Sequence, residues 1–161
     1  MTSQIINVNN YVPIFAPKDF EFSSDAERVD RSRVYEWLNG DSYWATTRSR
    51  SQQDAAMDGS RNFGIYRADS GTQVAYARVV TDGATFAWLC DVYVERAVRG
   101  IGVGTALVGG TCATLDGLGL TRILLATADA HGLYRRFGFE PLGDPAIWMA
   151  KASFQVAGAE A

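Results

Sequence analysis

The sequence predicts one α/β domain in which an antiparallel strand meander turns parallel at a helical crossover. Two observations carry this prediction. Residues 62–94 contain three segments with strand character, separated by short turns rich in Gly, Asp and Ser. A helix predicted over residues 102–116 then leads into the apolar run 122–127. A strand that follows its predecessor through a helix forms a right-handed parallel crossover, so the sheet is predicted to be mixed.

The predicted domain takes in all residues 1–161, with 1–18 as an extended lead-in and 152–161 as a tail. The next elements are a short strand over 19–22 and a helix that begins after Asp30 as its N-cap and stops at 39–40. The apolar positions that give this helix its period are Val34, Trp37 and Leu38. A second short helix is expected over 51–57.

Segments 62–67 and 73–81 flank a loop of turn-forming residues, which predicts a hairpin. The chain turns again at residues 81–84 and enters a long strand over 85–94. The later run 122–127 is too apolar for an edge strand with one wet face, so it is predicted to be buried.

Asp129 is expected to cap a helix of about two turns whose inner face holds Leu133 and Phe137. Gly138 supplies the left-handed residue that ends this helix. We expect a further strand to start at Phe139, and residues 146–151 to pair with it.

Composition excludes several classes of protein. The chain is 47% hydrophobic and 20% charged, with a net charge of -3 and no run of Lys or Arg, which argues against a nucleic-acid partner. No apolar stretch reaches the ~18 residues of a membrane span, and residues 1–7 lack the blocks of a signal peptide. We therefore expect a cytoplasmic protein without a membrane partner.

The two cysteines, Cys90 and Cys112, suit a reducing compartment and are too few for a disulfide framework. Both are interpreted as buried small hydrophobes. A nucleophilic Cys90 would need a base, and the only histidine, His131, lies in the predicted short helix. That alternative is disfavoured.

The strand that ends near residue 94 is followed by Arg99-Gly100-Ile101-Gly102-Val103-Gly104 at the start of a helix. Alternate glycines let the backbone approach a ligand closely, because no Cβ intervenes. The free N–H groups of the first helical turn and the helix dipole favour a phosphate there, and Arg99 adds a positive charge.

Three phosphate-binding loops have related patterns. A P-loop ends in Gly-Lys-Ser/Thr, whereas Thr105 and Ala106 follow Gly104 here. A dinucleotide-binding loop has its third glycine one residue later and an acidic residue about 20 positions on, where this chain has residues 118–120, Leu-Gly-Leu. The third pattern, Arg/Gln-x-x-Gly-x-Gly/Ala, is matched by Arg99, Gly102 and Gly104. This third pattern is typical of the GNAT superfamily of N-acetyltransferases, which the chain resembles at these residues.

A second motif strengthens the resemblance. Residues 130–139, Ala-His-Gly-Leu-Tyr-Arg-Arg-Phe-Gly-Phe, look like the family's short helix that carries a tyrosine and closes on a Gly-Phe step. The similarity covers roughly residues 63–149, with a weaker part over 30–45. It implies the GNAT fold: a mixed, mostly antiparallel sheet with a parallel, splayed strand pair at its centre and flanking helices.

The resemblance also implies acetyl-CoA as co-substrate. In the family the loop cradles the pyrophosphate, and main-chain groups of the preceding strand pair with the pantetheine arm. A bulge in that strand aims an N–H group at the thioester oxygen. The residues that carry these roles here are Val92, Tyr93, Val94, Arg99, Gly100, Ile101, Gly102, Val103, Gly104 and Thr105.

Two side chains are candidates for the chemistry. Tyr134 occupies the position of the family's general acid, which would protonate the leaving thiolate; the alternative is an aromatic at the edge of the core. Asp91 interrupts an apolar strand, and it either binds or deprotonates the substrate amine or is a structural carboxylate. Tyr43 and Trp44 are expected to wall the acceptor site, and Phe86 and Trp88 to lie in the core.

These residues predict an enzyme that transfers an acetyl group from acetyl-CoA to a primary amine of a small molecule. Direct attack is expected, with no metal and no covalent enzyme intermediate. The resemblance allows a homodimer, and no stretch of the sequence identifies an interface. The alternative from a different class is a CoA-binding sensor or scaffold without turnover, and a dinucleotide-dependent oxidoreductase is the weaker third choice.

Overall fold

The computed structural model describes residues 16–151, so residues 1–15 of the predicted lead-in and the tail 152–161 lie outside the described residues. Five strands form one sheet in the order of the sequence, and neighbours are antiparallel except for the last pair, which is parallel. The strands are β1 (Phe20–Ser23), β2 (Arg61–Arg67), β3 (Gln73–Thr81), β4 (Phe86–Val94) and β5 (Arg122–Leu124). The predicted mixed α/β architecture is confirmed.

Four α-helices flank this sheet: α1 (Arg31–Asp41), α2 (Arg50–Asp58), α3 (Val103–Asp116) and α4 (His131–Arg135). The predicted N-cap of α1 is confirmed, since Asp30 accepts a hydrogen bond from the Arg33 N–H. α2 begins with a capping box between Ser49 and Gln52. Within residues 16–151, no helix has both the length and the apolar character needed to cross a membrane.

Apolar side chains cover both faces of the sheet. On one face α3 packs against the larger core, which includes Phe63, Ile65, Val79, Leu89, Leu107 and Leu115. On the other face α1 and α2 pack against a smaller core with Val34, Leu38, Met57, Tyr76 and Tyr93. α3 lies close to β1, because a Cβ on Gly110 would sit 2.5 Å from the Phe22 ring. The sheet therefore lies between two helical layers that pack against its two faces.

The end of the chain corrects the prediction. Residues 139–151 form no strand and contain only a 3-10 turn, Pro145–Ile147. Pro141 and Pro145 have no N–H to donate, which breaks any ladder through this segment. Among residues 16–151, the run predicted as a buried strand over 122–127 therefore has no neighbouring strand on its far side. It shortens to β5, a partly exposed edge strand, and the parallel pair lies at the edge of the sheet instead of its centre.

The short helix also differs from its prediction. α4 is a single turn and a half, and its N-cap is Ala130 with no side-chain cap, so Asp129 does not have the capping role expected of it. The Thr127 hydroxyl instead accepts the Ala130 N–H at 3.0 Å. Gly138 follows with a φ of +83°, the left-handed conformation predicted for it.

Candidate active site

A crevice opens where the two parallel strands separate. β4 and β5 pair only from Phe86 to Trp88, after which β4 continues to Val94 and β5 ends. A pocket of about 550 Å³ lies between them, lined on one side by residues 88–92 and on the other by residues 126–130. Ligands of open sheets bind in such a crevice, beyond the carboxyl ends of parallel strands.

A β-bulge in β4 forms one wall of this pocket. Tyr76 pairs with Tyr93 and Arg78 with Cys90, so two residues of β4 lie opposite one residue of β3. Asp91 lies at this bulge with a φ of +52°, a left-handed conformation that is uncommon outside glycine. The bulge also exchanges the faces of the strand, because Leu89 packs in the core under α3 whereas Tyr93 packs under α1. The alternation of side chains between the two faces is broken here, and the bulge that the resemblance implies in this strand is present.

The Asp91 carboxylate is buried and bound by two arginines. Arg48 donates to both carboxylate oxygens, at 2.7 and 3.3 Å, and Arg78 Nε donates to Oδ2 at 2.8 Å. The Asp91 side chain is only 2% exposed. Burial acts to raise its pKa, but the hydrogen bonds and charges of the two guanidinium groups outweigh it and hold the pKa below its usual value. Asp91 is therefore ionised, and both of its oxygens are occupied.

Tyr134 faces the pocket from α4. Its side chain is 7% exposed and packs edge-to-face against Phe139, with 5.9 Å between the ring centroids. The hydroxyl makes no hydrogen bond to residues 16–151. Burial raises the pKa of Tyr134 to about 12, with a further contribution from Tyr43. The phenol is therefore protonated at neutral pH and free to donate.

Tyr43 and Trp44 lie on the loop after α1 and also line the pocket. Their rings pack edge-to-face at 4.8 Å between centroids. The Tyr43 hydroxyl accepts the Ala128 N–H at 3.2 Å, which connects the two walls. Trp88, predicted in the core, is half-buried and lines the pocket instead, and Phe86 is exposed. Both side chains alternate with Ala87 and Leu89, which pack in the larger core, so they lie on the opposite face of β4.

The glycine loop connects β4 to α3. Gly100 and Gly102 have φ values of +80° and +95°, so both positions require glycine, and α3 starts at Val103. A Cβ on Gly104 would meet the Val94 side chain at 3.5 Å, an ordinary contact. The Gly102 carbonyl accepts the Ala106 N–H as the first helical bond, so the N–H groups that precede it in the first turn have no intrahelical acceptor.

Arg99 is held in place by the protein. Its Nε donates to the Val94 carbonyl at 2.8 Å, and its Nη2 lies 3.3 Å from the Asp41 carboxylate at the end of α1. The same carboxylate is bound by Arg96 and accepts a hydrogen bond from the Tyr93 hydroxyl at 2.8 Å. These hydrogen bonds, with that from Arg96 the strongest, lower the pKa of Asp41. We call Asp41, Arg96 and Arg99 the exposed cluster.

α4 contacts both parts of the site. Tyr134 lies in the pocket, and Arg136, two residues later, donates to the Thr105 hydroxyl in the first turn of α3 at 3.2 Å. The structure thus places Tyr43, Trp44, Asp91, Val92 and Tyr134 around one pocket. The predicted phosphate loop starts at the end of the strand that forms its wall.

Sequence reasoning missed the two arginines of the pocket. Arg78 interrupts the apolar run of β3 as Asp91 interrupts β4, and this shared feature was the available signal. Arg48 comes from a polar loop, 43 residues before Asp91, and has no local signal. Burial raises the pKa of Cys90 to about 11, which makes it a poor nucleophile. Within the described residues, no cluster of three or more His, Cys, Asp or Glu side chains is placed to hold a metal ion.

Comparison with known proteins agrees with the motifs. The model of the Acetyltransferase (GNAT) family matches residues 31–139. A crystal structure assigned to the same family, from Xanthomonas campestris pv. campestris, is 40% identical, with a TM-score of 0.78 over 83% of this chain and 92% of that chain.

Two further relatives are more distant. Serotonin N-acetyltransferase 2, chloroplastic, from Oryza sativa subsp. japonica is 38% identical over 73 residues, which are 45% of this chain and 36% of that protein, so the match spans little more than a third of the relative. A Mycobacterium tuberculosis structure in complex with CoA is 18% identical and covers 73% of this chain and 70% of that chain, with a TM-score of 0.59, and it supports the fold alone. The fold, the family model and the Xanthomonas structure agree: the chain belongs to the GNAT family of acetyltransferases.

Proposed function

We propose that this protein is a cytoplasmic N-acetyltransferase that transfers the acetyl group of acetyl-CoA to a primary amine of a small molecule by direct attack. One observation carries the proposal. The crevice between β4 and β5 has the buried Tyr134 on one wall and the bulge at Asp91 on the other, and the glycine loop follows at the end of β4. Association as a homodimer stays a prediction.

The geometry of β4 supports the proposed cofactor residues. This strand pairs with β3 on one side but with β5 only through Trp88, so its backbone groups beyond Trp88 have no strand partner on the β5 side. An extended pantetheine arm can pair with Val92, Tyr93 and Val94 in place of a strand. The first-turn N–H groups over residues 101–105 and the Arg99 guanidinium then suit the pyrophosphate.

The proposed reaction needs no covalent enzyme intermediate. The amine nitrogen attacks the thioester carbonyl carbon, the C–S bond breaks, and the Tyr134 hydroxyl gives its proton to the leaving thiolate while the amine loses a proton to water. We assign to the N–H of Val92, beside the bulge, a hydrogen bond to the developing oxyanion. Such a donor contributes about 3 kcal/mol when aligned.

Of the two roles open to Asp91, the geometry favours the structural one. Both of its oxygens accept hydrogen bonds from arginines, and its lowered pKa makes it a weak base. We propose that Asp91 is a positioning residue that keeps the bulge in place, and that a base acting through water removes the amine proton.

The Tyr134→Phe variant tests the assigned acid. We expect kcat to fall about 100-fold, since general acid catalysis contributes about 10² to 10⁴, while the Kd for acetyl-CoA changes less than about twofold. Thiol release against a panel of amines measures turnover, and calorimetric titration measures binding. Tyr35→Phe, on α1 and outside the pocket, is the matched control. Unchanged turnover in Tyr134→Phe would remove the acid from the mechanism.

The same measurements on the wild-type protein separate the two classes of function. Binding of acetyl-CoA with thiol release in the presence of an amine supports the transferase. Binding without release for any amine supports the sensor, and the absence of binding contradicts both.

A further inference from the structure

The pocket contains more positive charge at the bulge than its carboxylate can balance. Arg48 and Arg78 both line the pocket, with side chains 23% and 11% exposed, and they share only the carboxylate of Asp91. Among residues 16–151, no other acidic side chain forms an ion pair with either arginine. Two guanidinium groups and one carboxylate leave one net positive charge at a site with restricted access to water.

Both arginines also have N–H groups that make no hydrogen bond to residues 16–151. Arg48 uses Nη1 for Gln53 and Asp91 and one Nη2 hydrogen for Asp91, which leaves Nε and the second Nη2 hydrogen. Arg78 uses Nε for Asp91 and Nη1 for the Ser60 hydroxyl at 3.0 Å, which leaves its Nη2 group. The planar guanidinium group suits a carboxylate or phosphate, which accepts two parallel N–H groups.

The opposite side of the same pocket has the other polarity. Asp129 is exposed and lines the wall beside Tyr134, and the two groups are close enough for the charge of Asp129 to act on the phenol. The aromatic side chains of Tyr43, Trp44 and Trp88 complete the lining. A molecule that fills this pocket therefore meets a carboxylate near Tyr134, an apolar middle and two arginines at the bulge.

We propose that the acyl acceptor carries an anionic group, a carboxylate or a phosphate, in addition to its amine, and that Arg48 and Arg78 bind that group. The ammonium group enters beside Asp129 and Tyr134, where it loses its proton before attack. This proposal rests on the proposed acetyltransferase function and names the substrate class of the same site.

Matched pairs of amines test the proposal with the wild-type protein. Each pair has the same amine and body and differs only in the anion: aromatic and aliphatic amino acids against their carboxamides, and phosphorylated amino alcohols or amino sugars against the unphosphorylated compounds. We expect the anionic member of at least one series to have a kcat/KM at least about tenfold higher, as a charge-assisted bidentate contact implies. The carboxylate and phosphate series show which anion the site takes.

Two variants assign the preference to the pocket. Arg48→Gln should reduce the anionic-to-neutral ratio of kcat/KM at least fivefold. Arg48→Lys keeps the positive charge but loses the two parallel N–H groups of the guanidinium, so it should retain part of the preference for the anionic member. The ratio is measured within one protein, so a general loss of activity through a disturbed bulge does not change it. Arg50→Gln is the control, because Arg50 lies on α2, bonds Asp54 and does not line the pocket.

The outcomes are distinct. Equal or better use of the neutral member in every pair overturns the anionic acceptor and leaves the transferase intact. A ratio that Arg48→Gln and Arg48→Lys do not change overturns the role of Arg48. If neither member of any pair releases thiol, the proposed function itself fails, and the inference fails with it.

Discussion

Asp91 and Asp41 each bind two arginines, and the two carboxylates differ in their surroundings. Asp91 lies at the β4 bulge, where it and its partners Arg48 and Arg78 are 2%, 23% and 11% exposed in their side chains. Asp41 lies at the end of α1, where it is 22% exposed and its partners Arg96 and Arg99 are 75% and 49% exposed. Each cluster contains one aspartate and two arginines, and burial is the main difference between them, although Asp41 also accepts a hydrogen bond from the Tyr93 hydroxyl.

Burial decides what each cluster does. A charge in a dry site that loses its partner is strongly unfavourable, so the buried cluster has one arrangement and fixes the backbone around it. An exposed ion pair competes with water and salt and contributes at most about 1 kcal/mol. The exposed cluster can therefore exchange its carboxylate for a phosphate with little loss of stability. The buried cluster therefore holds the bulge with or without a ligand, and the exposed cluster is the one that can give up its carboxylate.

The largest expected effect is on folding stability. Asp91→Ala removes the only acidic partner that the two partly buried arginines have among residues 16–151, and it should lower the free energy of unfolding by about 3–5 kcal/mol. Asp41→Ala, the matched change in the exposed cluster, should lower it far less, because water and salt screen an exposed ion pair. Chemical denaturation of both variants measures the difference. Equal losses would mean that burial does not separate the two clusters.

Ligand binding should show the opposite order. Arg99→Ala removes a cation from the glycine loop and should raise the Kd for acetyl-CoA about tenfold or more, as the loss of a charge-assisted hydrogen bond to phosphate predicts. Its free energy of unfolding should change by less than about 1 kcal/mol. Calorimetric titration gives the Kd, and Arg135→Ala, an exposed arginine of α4, is the control. An unchanged Kd would remove Arg99 from the phosphate site.

Acid should weaken the buried cluster. The folded-state pKa of Asp91 lies below its unfolded value near ~3.9, so its contribution is fully present above that value and is lost as the pH falls through the lowered pKa. Asp91→Asn cannot ionise and should therefore be less stable than the wild type at pH 7, with the difference shrinking below about pH 4. Thermal unfolding measured from pH 7 to pH 2 tests this. A constant difference would show that the ionised form is not what stabilises the fold.

The smallest expected effect separates the clusters by their response to salt. Raising the ionic strength to about 1 M shortens the screening length to about 3 Å, which should abolish the small destabilisation of Asp41→Ala. The loss in Asp91→Ala should persist, because a buried pair is screened much less. Denaturation by urea in low and high salt compares the two, and the same salt response in both variants would contradict the distinction.

Local patterns account for most of the fold. The spacing of apolar residues in α1, the turn-forming loop before β3 and the glycines before α3 each determine local structure, and the predicted elements formed there. The strand predicted over residues 122–127 ends at residue 124. An apolar run indicates that a segment is buried, but it does not show that another strand lies beside it. Residues 139–151, with Pro141 and Pro145, supply none.

The candidate site was predictable only in part. The predicted phosphate loop and Tyr134 lie in short motifs, so the sequence alone identifies them as candidates. The surroundings of Asp91 depend on a bulge that changes the register of β3 and β4, and on Arg48 from a distant loop. An aspartate with a positive φ leaves no pattern in the sequence, because the conformation is imposed by the ladder and by the two arginines.

The hydrogen bond from the Ala128 N–H to the Tyr43 hydroxyl spans the crevice between residues 85 positions apart in the sequence. A hydrogen bond of this kind contributes about 1 kcal/mol net. This free energy corresponds to a ratio of about five between molecules in which the bond is formed and molecules in which it is broken. Thermal fluctuation alone therefore opens this bridge for a substantial fraction of the time, and the sheet below it need not move.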